Sequence, residues 1–363
     1  MKKILFQTSY ESYANNVMFT RKEDINNSSG RWTLLKSKLS ELGYEIMTAD
    51  NNSLEDCEGI IFFDSLSLDY YPDTKTKIKN FIKKLTGLKI APVYPTRKLY
   101  KEAVEAGLRS KMVLLLWEAQ ATFPLNFSPK TWEKFDHILT WDASLIKKDP
   151  KKFNILHLPM EPNPPLPKPV PFNEKKLLVN ICHNKYYSSD KNELYKERRK
   201  INDYYEKNYP NDFDLYGFRW NVPATRLQRI FPFLTKKYTT YRGFTQNKIE
   251  TLSKYKFSLA YENIAGTQGY IADRIFSSFQ SRSVPIYWGP DNVTDYIDPD
   301  TFIDRRKFKN NDELASFLTR MTEADYNKYL EAADRYMKSE KYAKFLPENF
   351  CNEIIAALGI KPL

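Results

Sequence analysis

Cysteine is scarce in this chain: Cys57, Cys182 and Cys351 are far apart in 363 residues and show no CxxC spacing. That excludes a disulfide framework and fits a reducing compartment. Histidine is equally sparse. His137, His157 and His183 form no HExxH or HxxxH pair, so no zinc site is expected. No apolar run approaches the ~20 residues needed to cross a bilayer. The opening MKKILF carries far too short an apolar stretch for a signal-peptide core, and a cytoplasmic protein is expected. Blocks of five or more Lys or Arg are also missing, and no nucleic-acid-binding module accompanies the net charge of +11, so nucleic acid is not the expected partner. The dispersed charge leaves two readings: a lysine-rich surface that keeps the protein soluble, or attraction to polyphosphate ligands and anionic lipid headgroups.

What the chain does have is apolar and aromatic surface, 42% hydrophobic and 15% aromatic residues, enough for two ordinary cores. The strongest punctuation is the proline series from Pro159 to Pro171. Residues without amide donors and with a locked φ can run neither through a helix nor through a central strand. The expected organisation is therefore a domain over 1–158, a semi-rigid linker over 159–171, a second domain over 172–335 and a C-terminal helical segment over 336–363.

Both halves alternate strand and helix patterns. In the first, Lys3–Phe6, Gly59–Phe63 and Lys111–Trp117 read as buried strands. Helical spacing places Leu34, Leu35, Leu39 and Leu42 before the stop at Gly43, and Ile78, Phe81, Ile82 and Leu85 before Gly87. In the second, Lys176–Ile181 and Phe213–Tyr216 read as strands and Tyr195–Lys207 as a helix. The fold class this implies is α/β, two Rossmann-like lobes with parallel sheets and a cleft. Ligands bind such sheets at the carboxyl ends of their strands.

The most informative stretch runs from Ser253 to Gly289, SKYKFSLAYENIAGTQGYIADRIFSSFQSRSVPIYWG. Tyr255, Phe257, Leu259 and Tyr261 alternate with Lys256, Ser258, Ala260 and Glu262, a strand period. A glycine-containing loop follows over 264–269. Ile271, Ile275 and Phe279 then recur every fourth residue, a helix beginning at Tyr270, and Ser283–Gly289 returns as a strand. A helix start at the end of a strand offers free amides and partial positive charge, a seat for a pyrophosphate. Arg274 in the first turn either meets that anion or is a solvated arginine on an amphipathic helix; spacing alone does not choose.

These residues resemble the nucleotide-binding signature of the α-1,3/1,4-fucosyltransferases, Y-K-F-x-L-x-F-E-N, then G-Y-[VI]-T-E-K, then [VA]-P-[IV]-Y-W-G. Tyr255, Lys256, Phe257, Leu259, Glu262, Asn263, Gly269, Tyr270, Pro285, Tyr287, Trp288 and Gly289 match it in order. The resemblance implies the GT-B fold, an inverting reaction and GDP-fucose as donor. Carried over, the donor-binding set is Tyr261, Glu262, Asn263, Gly269, Tyr270, Asp273 for the ribose and Arg274 for the diphosphate. Arg198 or Arg199 supplies a second diphosphate contact. Ala272-Asp273-Arg274 stands where the family has Thr-Glu-Lys, which preserves charge but changes reach and shape and leaves room for another GDP-deoxysugar.

The first half resembles the family more weakly, through Leu116-Trp117-Glu118 to Phe127 and through Phe135-Asp136, beside the family's G-E-N-x-x-P-x-F and F-D-Y. The resemblance makes Glu118 the catalytic base; without it, Glu118 also reads as a strand-end carboxylate capping the next helix. No cofactor or metal is required on this reading, though divalent-cation stimulation is compatible with it. The one DxD-like string, Asp212-Phe213-Asp214, reads as structural. The expected partners are a GDP-sugar, a glycan or lipid-linked glycan acceptor and the anionic inner membrane surface. Animal members carry an N-terminal anchor that this sequence does not show, so a bacterial cytoplasmic form serving surface-glycan synthesis is expected. A non-enzymatic binder of nucleotide sugars or nucleic acid is the remaining alternative.

Overall fold

Runs of Ile, Leu, Val and Phe without polar alternation form strands only where both sheet faces are covered. Met112–Leu116, buried at every position, is such a strand. The computed structural model describes residues 2–20, 30–68, 97–160, 167–185, 190–223 and 225–360. They fall into two units, the first from Met1–Lys22, Ser29–Leu156 and Cys351–Leu363, the second principally from His157–Phe350.

The first unit contains β1 (Lys2–Gln7), β2 (Tyr44–Thr48), β3 (Cys57–Phe63), β4 (Met112–Leu116), β5 (His137–Thr140) and β6 (Phe153–Ile155). They pair in the order β2-β1-β3-β4-β5-β6, every pair parallel. The chain reverses direction across the sheet between β1 and β3, so the carboxyl ends of those strands flank the switch point. The helix Gly30–Glu41 ends before Gly43, whose φ of +83° favours glycine. The helix expected to stop at Gly87 lies outside the described residues.

The second unit contains β7 (Lys176–Ile181), β8 (Phe213–Tyr216), β9 (Tyr255–Tyr261), β10 (Val284–Trp288) and β11 (Ile303–Asp304). Their order is β11-β10-β9-β7-β8, again wholly parallel. Its switch point lies between β7 and β9. Gly217, with φ +120°, closes β8 against β7; a Cβ there would stand 2.0 Å from the Cys182 carbonyl oxygen, so only glycine fits without backbone movement.

The alternation along β9 separates large from small residues. Phe257, Leu259 and Tyr261 join the core with Leu178 and Ile286. On the opposite face Ala260 joins Ile275, Phe276 and Phe279, and Ser258 Oγ donates to Ser278 Oγ at 2.8 Å. Small side chains let the helix Asp273–Gln280 lie close on that face.

One expectation changes. Residues 336–363 do not form one segment: Tyr336 ends the helix Glu323–Tyr336, and residues from Cys351 onward belong to the first unit. The reason is packing on β3, where Gly59 leaves space for Leu358; a Cβ would meet its Cδ2 at 2.8 Å. Of the proline series, residues 161–166 lie outside the described residues, while Met160 donates its amide to the Phe345 carbonyl. Asp214 is a structural hub on β8, accepting from Lys176 Nζ, Arg242 Nε and the Tyr255 hydroxyl at 2.8, 2.6 and 2.6 Å.

Candidate active site

At the switch point of the second unit, the ends of β7 and β9 meet two arginines. The helix Tyr195–Asn208 buries Tyr195, Arg198, Ile201, Asn202 and Tyr205, the spacing of one helical face. That phase carries Arg198 inward, where its Nη2 donates to the Tyr261 carbonyl at 2.5 Å and to Asn263 Oδ1 at 3.2 Å. Its Nε has no hydrogen-bond partner. Arg199, one step round the helix, donates instead to the carbonyl of Lys185. Arg274 enters from the start of the helix Asp273–Gln280 and donates to the Ile181 carbonyl at 3.2 Å. Among the described residues, neither Arg198 nor Arg274 makes an ion pair. Burial, then the Arg274 guanidinium, lowers the pKa of Arg198 to about 10. Two cations held close in a dry setting repel each other, and an anion between or beside them removes that repulsion.

Glu262 secures the scaffold around them. It is buried, and its Oε1 accepts from the Ala272 amide at 2.9 Å and from the Tyr287 hydroxyl at 3.1 Å. The end of β9 is thereby tied both to the residue that opens the helix and to β10. This fixes the helix start at Asp273 rather than Tyr270: the Ala272 amide bonds to a side chain while its backbone is extended. Burial pushes the Glu262 carboxyl up to about 7, against the lowering effect of the Ala272 amide and of both arginines. Asn263 Nδ2 donates to the Tyr270 hydroxyl at 3.1 Å, and Gly269 before it has φ +104°. Tyr261 contributes its carbonyl; its ring is buried edge-on to Trp288 at 5.7 Å. Asp273 is held by Lys248 Nζ at 2.5 Å. The residues read from sequence thus converge, with Arg199 set apart toward Lys185 and Asp273 toward Lys248.

In the first unit, Glu118 lies just beyond β4 and is half-buried. Its amide donates to Asp64 Oδ1 at 3.1 Å, and its carbonyl accepts from Asn126 Nδ2 at 2.9 Å. Asp64 Oδ1 also accepts from the Trp117 amide and Asn126 Nδ2, both at 2.7 Å. Asn126 Oδ1 accepts from the Ser65 amide at 2.7 Å, completing a buried network that pins the backbone of Glu118. Asp64 sits at the end of β3 with φ +59°, and its Oδ2 has no hydrogen-bond partner. Burial first, then Glu118, raises its pKa to about 7. Burial, Glu118 and Asp64 likewise push the Tyr10 phenol up. Asp64, Asn126 and Tyr10 escaped the sequence reading. The one available sign was Asp64 closing a buried strand.

Asp64 and Glu262 set a pH dependence. Each holds its proton to about pH 7 when folded and releases it near pH 4 when unfolded. Their contribution is complete below about pH 4 and falls as the pH rises to about 7. Between pH 5 and pH 7 each loses on the order of 2–3 kcal/mol. The unfolding midpoint should therefore fall from pH 5 to pH 7.5. Asp64→Asn and Glu262→Gln should each flatten that slope, and an unchanged slope in both would contradict the assignment.

Two parallel-sheet units with polar groups gathered at strand carboxyl ends match solved structures along almost the whole chain. An alpha1,3-fucosyltransferase structure with GDP-fucose aligns with a TM-score of 0.51 and 17% identity, covering 99% of this chain and 91% of that one. The DNA modifying enzyme β-glucosyltransferase aligns at 0.50 and 14% identity, covering 99% and 100%. The fold is that of the GT-B glycosyltransferases. Residues 231–357 match the model described as Glycosyltransferase family 10 (fucosyltransferase) C-term. An Alpha-(1,3)-fucosyltransferase FucT of Helicobacter pylori is 37% identical over 109 residues, 30% of this chain and 20% of that protein. An Alpha-(1,4)-fucosyltransferase of Arabidopsis thaliana is 43% identical over 70 residues, 19% of this chain and 17% of that protein. The matched stretches thus span about a fifth of those relatives' length. The family model includes Tyr261 to Arg274 but not Glu118, Arg198 or Arg199. Among the described residues no helix is long and apolar enough to cross a membrane.

Proposed function

We propose that this chain transfers L-fucose from GDP-β-L-fucose to a hydroxyl of a Gal/GlcNAc-type glycan, with inversion at the anomeric carbon and an α-1,3 linkage. The observation that carries the reading is the pair Arg198 and Arg274 at the strand ends of the second unit, two cations that make no ion pair among the described residues. Such a pair suits a diphosphate. Names of the relatives supply the sugar and the linkage.

In the proposed reaction Glu118 takes the proton of the acceptor hydroxyl as its oxygen bonds to the anomeric carbon. The bond from that carbon to the phosphate oxygen breaks, and its electron pair leaves with GDP. Arg198 and Arg274 stabilise the charge that builds there, with Arg198 rather than Arg199 as the diphosphate contact because it faces Asn263. Asn263 and Tyr270 line the donor site, and Asp273, oriented by Lys248, accepts from the ribose. Cationic side chains do this work without an obligatory metal. The setting proposed is bacterial surface-glycan synthesis at the inner face of the cytoplasmic membrane. The Asp273-Arg274 pair favours a second reading, transfer from another GDP-deoxysugar.

Release of GDP should be measured with GDP-fucose, GDP-mannose and UDP-sugars, with and without EDTA, on Gal and GlcNAc acceptors. Turnover confined to GDP-fucose and resistant to EDTA is expected. Turnover with a different GDP-sugar would transfer the assignment to that donor, and GDP release with UDP-sugars excluded yet dependent on added cation would remove the metal-independent mechanism.

A further inference from the structure

Among the described residues, eight of the eleven large hydrophobic side chains left exposed lie between Gly217 and Phe244. The same stretch contains six Lys or Arg and no Asp or Glu. Its stem is fixed. Trp220 packs edge-on to the buried Tyr238 at 5.3 Å, Asn221 bonds the Tyr238 backbone on both sides, and the Tyr238 hydroxyl donates to Asp203 at 2.6 Å. Its tip is a short helix, Arg226–Ile230, opened by a Thr225–Gln228 capping box, followed by the turn Pro232–Leu234. Gln228 Nε2 ties the turn back by donating to the Leu234 carbonyl at 3.4 Å. On this rigid support Leu227, Ile230, Phe231, Phe233 and Leu234 are 56, 61, 45, 81 and 45% exposed.

A structured segment that displays five large exposed apolar groups is not ordinary surface. We propose that residues 226–237 are a membrane hook: the apolar tip enters the interface of an anionic bilayer while Arg226 and Arg229 meet its headgroups, Lys236 being paired with Asp203 and Lys237 with the Asn221 carbonyl at the stem. The charge identifies the occupant, since every charged side chain on the tip is cationic, complementary to anionic lipid. A mixture of aliphatic and Phe groups suits insertion between acyl chains. A sugar would instead require hydrogen-bonding carboxylates or amides, which the exposed tip does not offer. The proposal gives the membrane contact named under the proposed function a specific surface, and its test is independent of sugar transfer.

Co-sedimentation of the full chain should show binding to vesicles of phosphatidylcholine and phosphatidylglycerol at least ten-fold tighter than to phosphatidylcholine alone, weakened by salt. Ile230→Ser with Phe233→Ser should reduce binding at least ten-fold, and Arg226→Gln with Arg229→Gln about five-fold for each charge removed. Both pairs are exposed, so the unfolding midpoint should stay unchanged, as should transfer to a soluble acceptor. Equal binding to both vesicles, or binding untouched by the Ile230 and Phe233 changes, would overturn the hook. So would light scattering that shows the tip forming a dimer of this chain with no vesicle binding. Vesicle binding without sugar transfer would refute the transferase reading and leave the hook standing.

Discussion

Glu118→Gln should lower the rate of sugar transfer by about 10²–10⁴-fold, the range expected for loss of a general base, while the affinity for GDP stays within about two-fold. Glutamine preserves the volume and the backbone contacts of Glu118, to Asp64 through its amide and to Asn126 through its carbonyl. The change removes the ability to take a proton, together with the charge that helps raise the Asp64 and Tyr10 pKa values. Single-turnover transfer and GDP titration separate the two effects. Full activity in Glu118→Gln would return Glu118 to the strand-end reading, whereas loss of both activity and GDP binding would show damage beyond the base.

Arg198→Met should reduce transfer by about 10²–10³-fold, the scale for removal of one preorganised charge stabiliser, and weaken GDP binding. Yet it should not lower the unfolding temperature. Arg198 is buried, leaves its Nε unpartnered and is repelled by Arg274. Replacing a buried, incompletely paired charge with an apolar side chain of similar length is often neutral or stabilising. Activity thus falls without a matching loss of stability, which a structural arginine would not show. Arg199→Met, which loses a contact to the Lys185 carbonyl away from Asn263, should cost far less activity. Equal losses from both variants would mean the helix, rather than the inward guanidinium, matters.

Strand positions were readable because apolar runs such as Leu114-Leu115-Leu116 and Ile60-Ile61-Phe62 can be buried on both faces only in parallel sheets. The residues from Tyr261 to Arg274, proposed to bind the donor, lie together because one strand, one loop and one helix start follow one another in local sequence. The choice between Arg198 and Arg199 was also present in the helix phase, since Leu194, Ile201 and Tyr205 are buried with Arg198. Asp64 with Asn126 was different. It depends on which strand neighbours which across the first sheet and on a left-handed backbone at a non-glycine residue, and neither leaves a periodic trace. The helix start at Asp273 likewise depended on Glu262 reaching the Ala272 amide, a tertiary contact that overrides hydrophobic spacing.

Leu358 against Gly59 has a consequence for the order in which the protein is made. The second unit lies principally in His157–Phe350 and is complete once Phe350 has been synthesised, but the first lacks its closing residues until after that point. At about 5–20 residues per second, roughly 10–40 s of elongation separate the last strand of the first sheet from the segment that covers β3. During that interval the nascent first sheet presents an uncovered apolar surface around Gly59 and Ile4. The first unit, although it opens the chain, therefore receives the residues that pack on β3 only after the stretch His157–Phe350 has been made.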